Sequence, residues 1–488
     1  MSSIKRSMKR QQSRRSSSSL ASHDKKGKIL NPPFLKLPNL KPVSWADDRL
    51  PEWLWAGLLI ERMGRLSAIE LLKHAVQYWI AKSDSLRPSD LTFTALSKIG
   101  SSERCEFLSF LCKNEDAKHA LEPLLLLVSD LPGGQEWAQA IAGSPSQDMW
   151  SALGRTVINM LDHQSQTATD CRWLRLLYYT AKNQMQHEKN MAAALIFYPN
   201  VGDMRAVRPY IRATEMPLDF GQPIGYEWSK KFWRVCMDRT QCAPLDISNH
   251  DNEIDAKISS EQIQELLEAL KKHWDNVVTD TDINPKRDAV FGIAFYCISI
   301  LGELVDGGTK VGILGRSGLR TIVECYITLA FLVKRDQDDL WKEYRQYGSG
   351  QAKLSFLKLT EKVEKQPTAF NVDDLERLAN EDFWQEFLPM NLGNWAKLNL
   401  RNMSEEAGIK EVYDSFYDWS SGFVHGHWGA VRDSVFVTCV NPLHRFHRIP
   451  EKRRDLNNVV HDAGELVNSV LGLLDKTYPS FSRRFVLK

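Results

Sequence analysis

Two stretches of this chain set groups capable of acid–base and charge-stabilising chemistry at helical spacing on otherwise apolar faces. In GRSGLRTIVECYITLAFL, Gly315 to Leu332, the side chains of Arg316, Arg320 and Glu324 fall within about 80° of one another on a helical wheel. In YDSFYDWSSGFVHGHWGA, Tyr413 to Ala430, the same spacing recurs at Tyr417, Ser421 and His425. Burying such groups costs free energy unless they find partners. An Arg, a Glu and a His drawn from two helices are therefore expected to meet in one polar site. There an imidazole that titrates near neutrality could serve as general acid or base, and a guanidinium could stabilise developing negative charge. The structural alternative is a buried clamp of Arg316 and Glu324 that fixes helix register.

His427, two residues after His425, completes an H-x-H pair, but continuous helical spacing would turn the two imidazoles to different faces. A third candidate is Arg454 with His461 in RDLNNVVH, whose seven-residue separation returns a helix to within about 20° of its starting direction. The eight cysteines include no C-x-x-C and no paired Cys/His spacing of the zinc type, so neither a metal nor another cofactor is expected. Also absent are a phosphate-binding G-x-x-x-x-G-K-[ST] loop, a G-x-G-x-x-G turn opening a helix after a strand, and a G-x-S-x-G elbow. That argues against nucleotide hydrolysis and dinucleotide redox chemistry.

The elements that must position these groups read as all-α. At 488 residues, two domains are expected. Residues 1–30 form a basic, Ser-rich tail of disordered composition: nine Lys or Arg against Asp24 alone within residues 1–28. Removing them from 63 basic and 61 acidic residues leaves 54 and 60, a body at −6. The tail could contact nucleic acid through its charge. Residues 31–250 read as an N-terminal helical domain of hairpins with a sensing or docking role. Asp48 is the expected cap of its first helix with Pro51 in the first turn, and further helices are expected at 104–112, 117–129, 136–142, 147–163 and 172–185. Most of the 15 Trp, including Trp53, Trp55, Trp79, Trp228, Trp233, Trp341 and Trp419, are expected to be packing anchors.

Turn-rich 217–225 and polar 246–257 place the boundary near residue 250, so that residues 251–488 form a C-terminal bundle. Ser259 and Gln262 form a capping box, and a nearly all-apolar helix from Arg287 to Val305 should be central. Its best apolar run, Val290 to Val305, carries Glu303 and is shorter than a bilayer span, so no membrane insertion is expected. Cysteines inside apolar runs and a polar N-terminus point to the cytoplasm.

Taken as a set, GRSGLRTIVE, YRQYGSGQAKL, WAKLNLRNMSEEAG and VYDSFYDWSSGFVHG resemble an uncharacterised bacterial all-helical family, a domain of unknown function of the 5677 type, over about residues 260–475. That family carries an Arg-Ser-x-x-x-Glu-like helix and a later Tyr-x-x-x-Ser-x-x-x-His helix. Here the second matches at Tyr417, Ser421 and His425, whereas Arg316-Ser317 reaches Glu only at Glu324. Such domains look like relatives of the HEPN bundles, many of them metal-independent ribonucleases of bacterial toxin and antiviral systems. The resemblance implies RNA as substrate, His425 or His461 as base on the ribose 2′-hydroxyl, and Arg316 or Arg454 as stabiliser of phosphate charge. It also implies a homo-oligomer or a partner protein of a defence system. The competing expectation is a non-catalytic helical interaction module.

Overall fold

The computed structural model describes residues 23–27, 29–31, 44–219, 227–245, 258–278, 282–362, 368–381, 388–451 and 455–487. Most of the basic tail, most of the Pro-punctuated stretch 31–42, the turn-rich 220–226, the polar 246–257 and Arg454 lie outside them. The fold is all-α, with short two-stranded pairings of β1 (Asp24–Lys26) with β2 (Ile29–Asn31) and of β3 (Phe436–Thr438) with β4 (Arg448–Pro450). The chain divides into two compact units, Met1–Leu245 with Thr438–His447, and Asp246–Val437 with Arg448–Lys488. The return of Thr438–His447 to the first unit is absent from the sequence-based boundaries.

The first unit contains α1 (Leu54–Met63), α2 (Arg65–Ile80), α3 (Ser101–Leu111), α4 (Glu115–Leu121), α5 (Gly134–Ile141), α6 (Asp148–Leu161), α7 (Gln166–Ala181), α8 (Lys189–Ile196), α9 (Met204–Glu215) and α10 (Glu227–Arg239). Ser44, not Asp48, caps the opening turn: its hydroxyl accepts the Asp47 N–H, while the Asp48 carboxylate accepts the Ser44 N–H. Helix α7 begins six residues earlier than expected because the Ser165 side chain caps it. Trp53, Trp55, Trp79, Trp137 and Trp173 are fully buried in the core, and Leu443 of the returning segment joins them. One acid, Glu215, is wholly enclosed by Arg49 at 2.7 Å, Arg175 at 2.8 Å and Arg172 at 3.3 Å. A buried carboxylate persists only with such compensation.

The second unit contains α11 (Ser260–Val277), α12 (Pro285–Asp306), α13 (Ile313–Arg335), α14 (Asp338–Lys362), α15 (Val372–Ala379), α16 (Leu400–Ala407), α17 (Asp418–Val424), α18 (Trp428–Val435) and α19 (Val460–Thr477). Both halves of the Ser259–Gln262 capping box are present. Helices α12, α13 and α19 pack on one another around Ile298, Leu301, Ile322, Val323, Val467 and Val470. At 22 residues α12 outruns the apolar stretch within it; by length and composition it could cross a membrane, and 56% of its most apolar window is buried in the fold.

The stretch from Tyr413 to Ala430 is not one helix. A wide turn over Tyr413–Tyr417 leads into α17, which stops at Val424. Gly426 then takes φ +62°, a left-handed conformation that suits glycine, before α18 starts anew. Trp419, expected to be a packing anchor, is 60% exposed.

Candidate functional site

The starts of α13 and α19 are fastened to each other through the backbone. Leu456 N–H donates to Val311 O at 2.8 Å and Val459 N–H to Lys310 O at 3.2 Å. Gly315 lets the first turn of α13 lie tightly against the preceding loop, because a Cβ there would lie 2.6 Å from Thr309 O. Arg316, in the first turn of α13, is thereby brought within electrostatic reach of Asp462, in the first turn of α19.

Arg316 is half-buried. Its Nη1 donates a long bond to Lys310 O at 3.4 Å, and its guanidinium lies 5.9 Å from the Phe423 ring centroid. Burial lowers its pKa to about 10, against the opposing pull of Asp433 and Asp462. Among the described residues no carboxylate lies at ion-pair distance from Arg316. The Asp462 carboxyl is raised by burial and by Glu465, with His461 and Arg316 pulling the other way. His461 Nδ1 stands 3.9 Å from Asp462 Oδ1. The ligand atoms of His461, Asp462 and Glu465 lie within 4.8 Å of one another. Around Asp462 the second unit thus collects a desolvated cation, an imidazole and a carboxyl whose pKa burial raises.

Glu324 is elsewhere. It pairs with Arg320 at 2.9 Å, and Arg320 Nη2 donates to the Tyr417 hydroxyl at 2.8 Å while its guanidinium covers the Tyr417 ring at 4.8 Å. Tyr413 stacks on Tyr417, at 4.7 Å between ring centroids. The expected clamp between Arg316 and Glu324 therefore does not form. Eight residues separate them by about 12 Å along a helix, whereas Arg320 is one turn away.

His425 is also outside the Arg316 corner in its contacts. It sits just past the end of α17, exposed, with its ring 5.9 Å from that of His427. The turn at Gly426 brings together two imidazoles that a continuous helix would have separated. Ser421, half-buried, accepts the His425 N–H through its carbonyl. Of the nine candidate positions, Arg316 and His461 are linked through Asp462, Arg320, Glu324 and Tyr417 form a second group, and Ser421, His425 and His427 a third; Arg454 lies outside the described residues. A surface groove of about 770 Å³ opens beside Ser317, Gly318 and Thr321 of α13, lined also by α11 and α12.

A further constellation escaped sequence reasoning. Cys242, Cys439, His444 and His447 of the first unit bring their ligand atoms within 4.8 Å of one another. The signal was present as C-x4-H-x2-H over Cys439, His444 and His447, but its fourth member is far upstream.

No curated protein and no solved structure matches this chain. Residues 304–439, from the end of α12 to the residue after β3, match the model of a family described as a family of unknown function (DUF5677). The matched stretch contains Arg316, Arg320, Glu324, Tyr417, Ser421, His425 and His427 and ends before His461, so it is shorter than the expected resemblance over about residues 260–475.

Proposed function

We propose that the second unit is a HEPN-like ribonuclease working without a metal ion, a cytoplasmic effector of a bacterial antiviral-defence or toxin system. The observation that carries this reading is the condition of Arg316: a guanidinium partly withdrawn from water, weakened as a cation by burial, and without a carboxylate at ion-pair distance among the described residues. A phosphodiester would supply the missing anion, and a guanidinium is suited to receive it.

In this mechanism His461 takes the proton from a ribose 2′-hydroxyl, and the 2′-oxygen bonds to phosphorus. The P–O5′ bond breaks, the departing 5′-oxygen takes up a proton from water, and the products are a 2′,3′-cyclic phosphate and a 5′-hydroxyl. Arg316 neutralises charge gathering on the phosphoryl oxygens. Exposed Trp419 and Trp428, beside His425 and His427 in sequence, offer flat surfaces for unstacked bases.

The test is to incubate purified full-length protein with single-stranded and structured RNAs in buffer free of divalent metal. Cyclic-phosphate ends are expected from the wild type and from Glu324→Gln, and none from Arg316→Ala or His461→Ala. Intact RNA in the wild-type reactions refutes the reading.

The alternative, a non-catalytic interaction module, draws on the Arg320–Glu324–Tyr417 group, in which Arg320 bonds both of the others. Under it, Arg316→Ala lowers the melting temperature and alters capture of a partner protein, with no RNA turnover to lose.

A further inference from the structure

We propose that Cys242, Cys439, His444 and His447 bind one divalent metal ion of the zinc class in a tetrahedral Cys2His2 site within the first unit. Ligand type is the first argument: two thiols and two imidazoles are the set that zinc prefers among biological divalent metals. Distance is the second. Bonds of about 2.3 Å to sulfur and about 2.0 Å to nitrogen set the S···N edges of a tetrahedral zinc site near 3.5 Å. Here Cys242 Sγ lies 3.5 Å from His444 Nδ1 and 3.3 Å from His447 Nε2, and Cys439 Sγ lies 3.5 Å from His444 Nδ1.

Hydrogen bonding around the cluster orients the ligands inward. The Thr240 hydroxyl donates to Cys236 O at 2.7 Å and accepts from Asn441 Nδ2 at 3.2 Å. Its contact with His444 Nε2 at 2.8 Å must then use the ring N–H as donor. That tautomer leaves Nδ1 bare, its lone pair turned towards both sulfurs, as a metal ligand requires. Ala243 N–H approaches Cys439 Sγ at 3.4 Å, a donor that favours the thiolate. Cys439 and His444 are buried, while Cys242 is exposed and gives the ion a way in.

The position has a structural meaning as well. Cys242 follows α10, and the other three ligands ride on the returning segment Thr438–His447. The two strands already touch through Val440 N–H to Ala243 O at 2.7 Å and Leu245 N–H to Thr438 O at 2.9 Å. A bound ion would rivet this return to the first unit.

The test uses full-length protein purified without chelator. Elemental analysis should find one zinc per chain in the wild type and in Cys105→Ser, and none in Cys242→Ser or His447→Ala, with circular dichroism confirming that the variants are folded. Cobalt added to the metal-stripped wild type should give the visible bands of a tetrahedral ion and thiolate charge transfer. The wild-type spectrum decides the matter even if a variant fails to fold. A metal-free wild type that gives no such spectrum would overturn the proposal, as would equal zinc in wild type and Cys242→Ser, or a Cys242–Cys439 disulfide opened by reductant alone.

Discussion

The Arg320 guanidinium donates to the Tyr417 hydroxyl at 2.8 Å and lies 4.8 Å from the centroid of the same ring, so that α13 is pinned to the turn preceding α17 by a contact that also holds Glu324. Removing the hydroxyl leaves the cation with its carboxylate but without its phenol. Tyr417→Phe is expected to cost about 1 kcal/mol, a fall of about 2–4 °C in the melting temperature of a unit of this size. RNA cleavage should persist, because the contact is separate from the Arg316 corner. Calorimetry and a cleavage assay on the same preparation check both halves.

Arg316 should behave in the opposite way. Its pKa, lowered to about 10 by burial, means that the charged form is disfavoured in the fold, yet at neutral pH the group stays charged and carries that cost. Arg316→Leu is expected to leave the melting temperature unchanged or raise it. Added sulfate should stabilise the wild type against heat more than the variant, which keeps only the general effect of a kosmotropic salt, and a thermal-shift titration reads the difference directly.

The same corner predicts a pH dependence. Burial raises the Asp462 carboxyl above its ordinary 3.8, so its contribution to stability is full below that value and is lost as pH rises through the folded pKa. Asp462→Asn, uncharged throughout, should therefore melt at a higher temperature than wild type at pH 7, with the difference closing below pH 3.8. A lower melting temperature for the variant at pH 7 would contradict this assignment.

In the first unit, Glu215 is fully buried among Arg49, Arg172 and Arg175. Glu215→Ala would leave three guanidinium groups without their shared counter-charge, at a cost of about 3–5 kcal/mol. Chemical denaturation followed by the fluorescence of the buried Trp side chains measures it.

The helices were legible because their apolar periodicity and caps are local; the Ser259–Gln262 box is an example. The site was less so. A helical wheel assumes an unbroken helix, and Gly426 breaks it, which exposes His425 and carries His427 round beside it. The wheel also treats Arg316 and Arg320 as equal partners for Glu324, though the rise along the helix favours the nearer one. Cys242 and Cys439 could not be joined by local spacing, since the return of Thr438–His447 to the first unit is a property of the whole topology.

The most direct measurement is RNA cleavage by the wild type and by Arg316→Leu, side by side in buffer without divalent metal and with Tyr417→Phe as a folded control. Cleavage to 2′,3′-cyclic phosphates by wild type and control, with a loss of about 10²–10³-fold in Arg316→Leu, is the predicted result. Equal cleavage by all three proteins, or none by the wild type, would contradict the role given to Arg316.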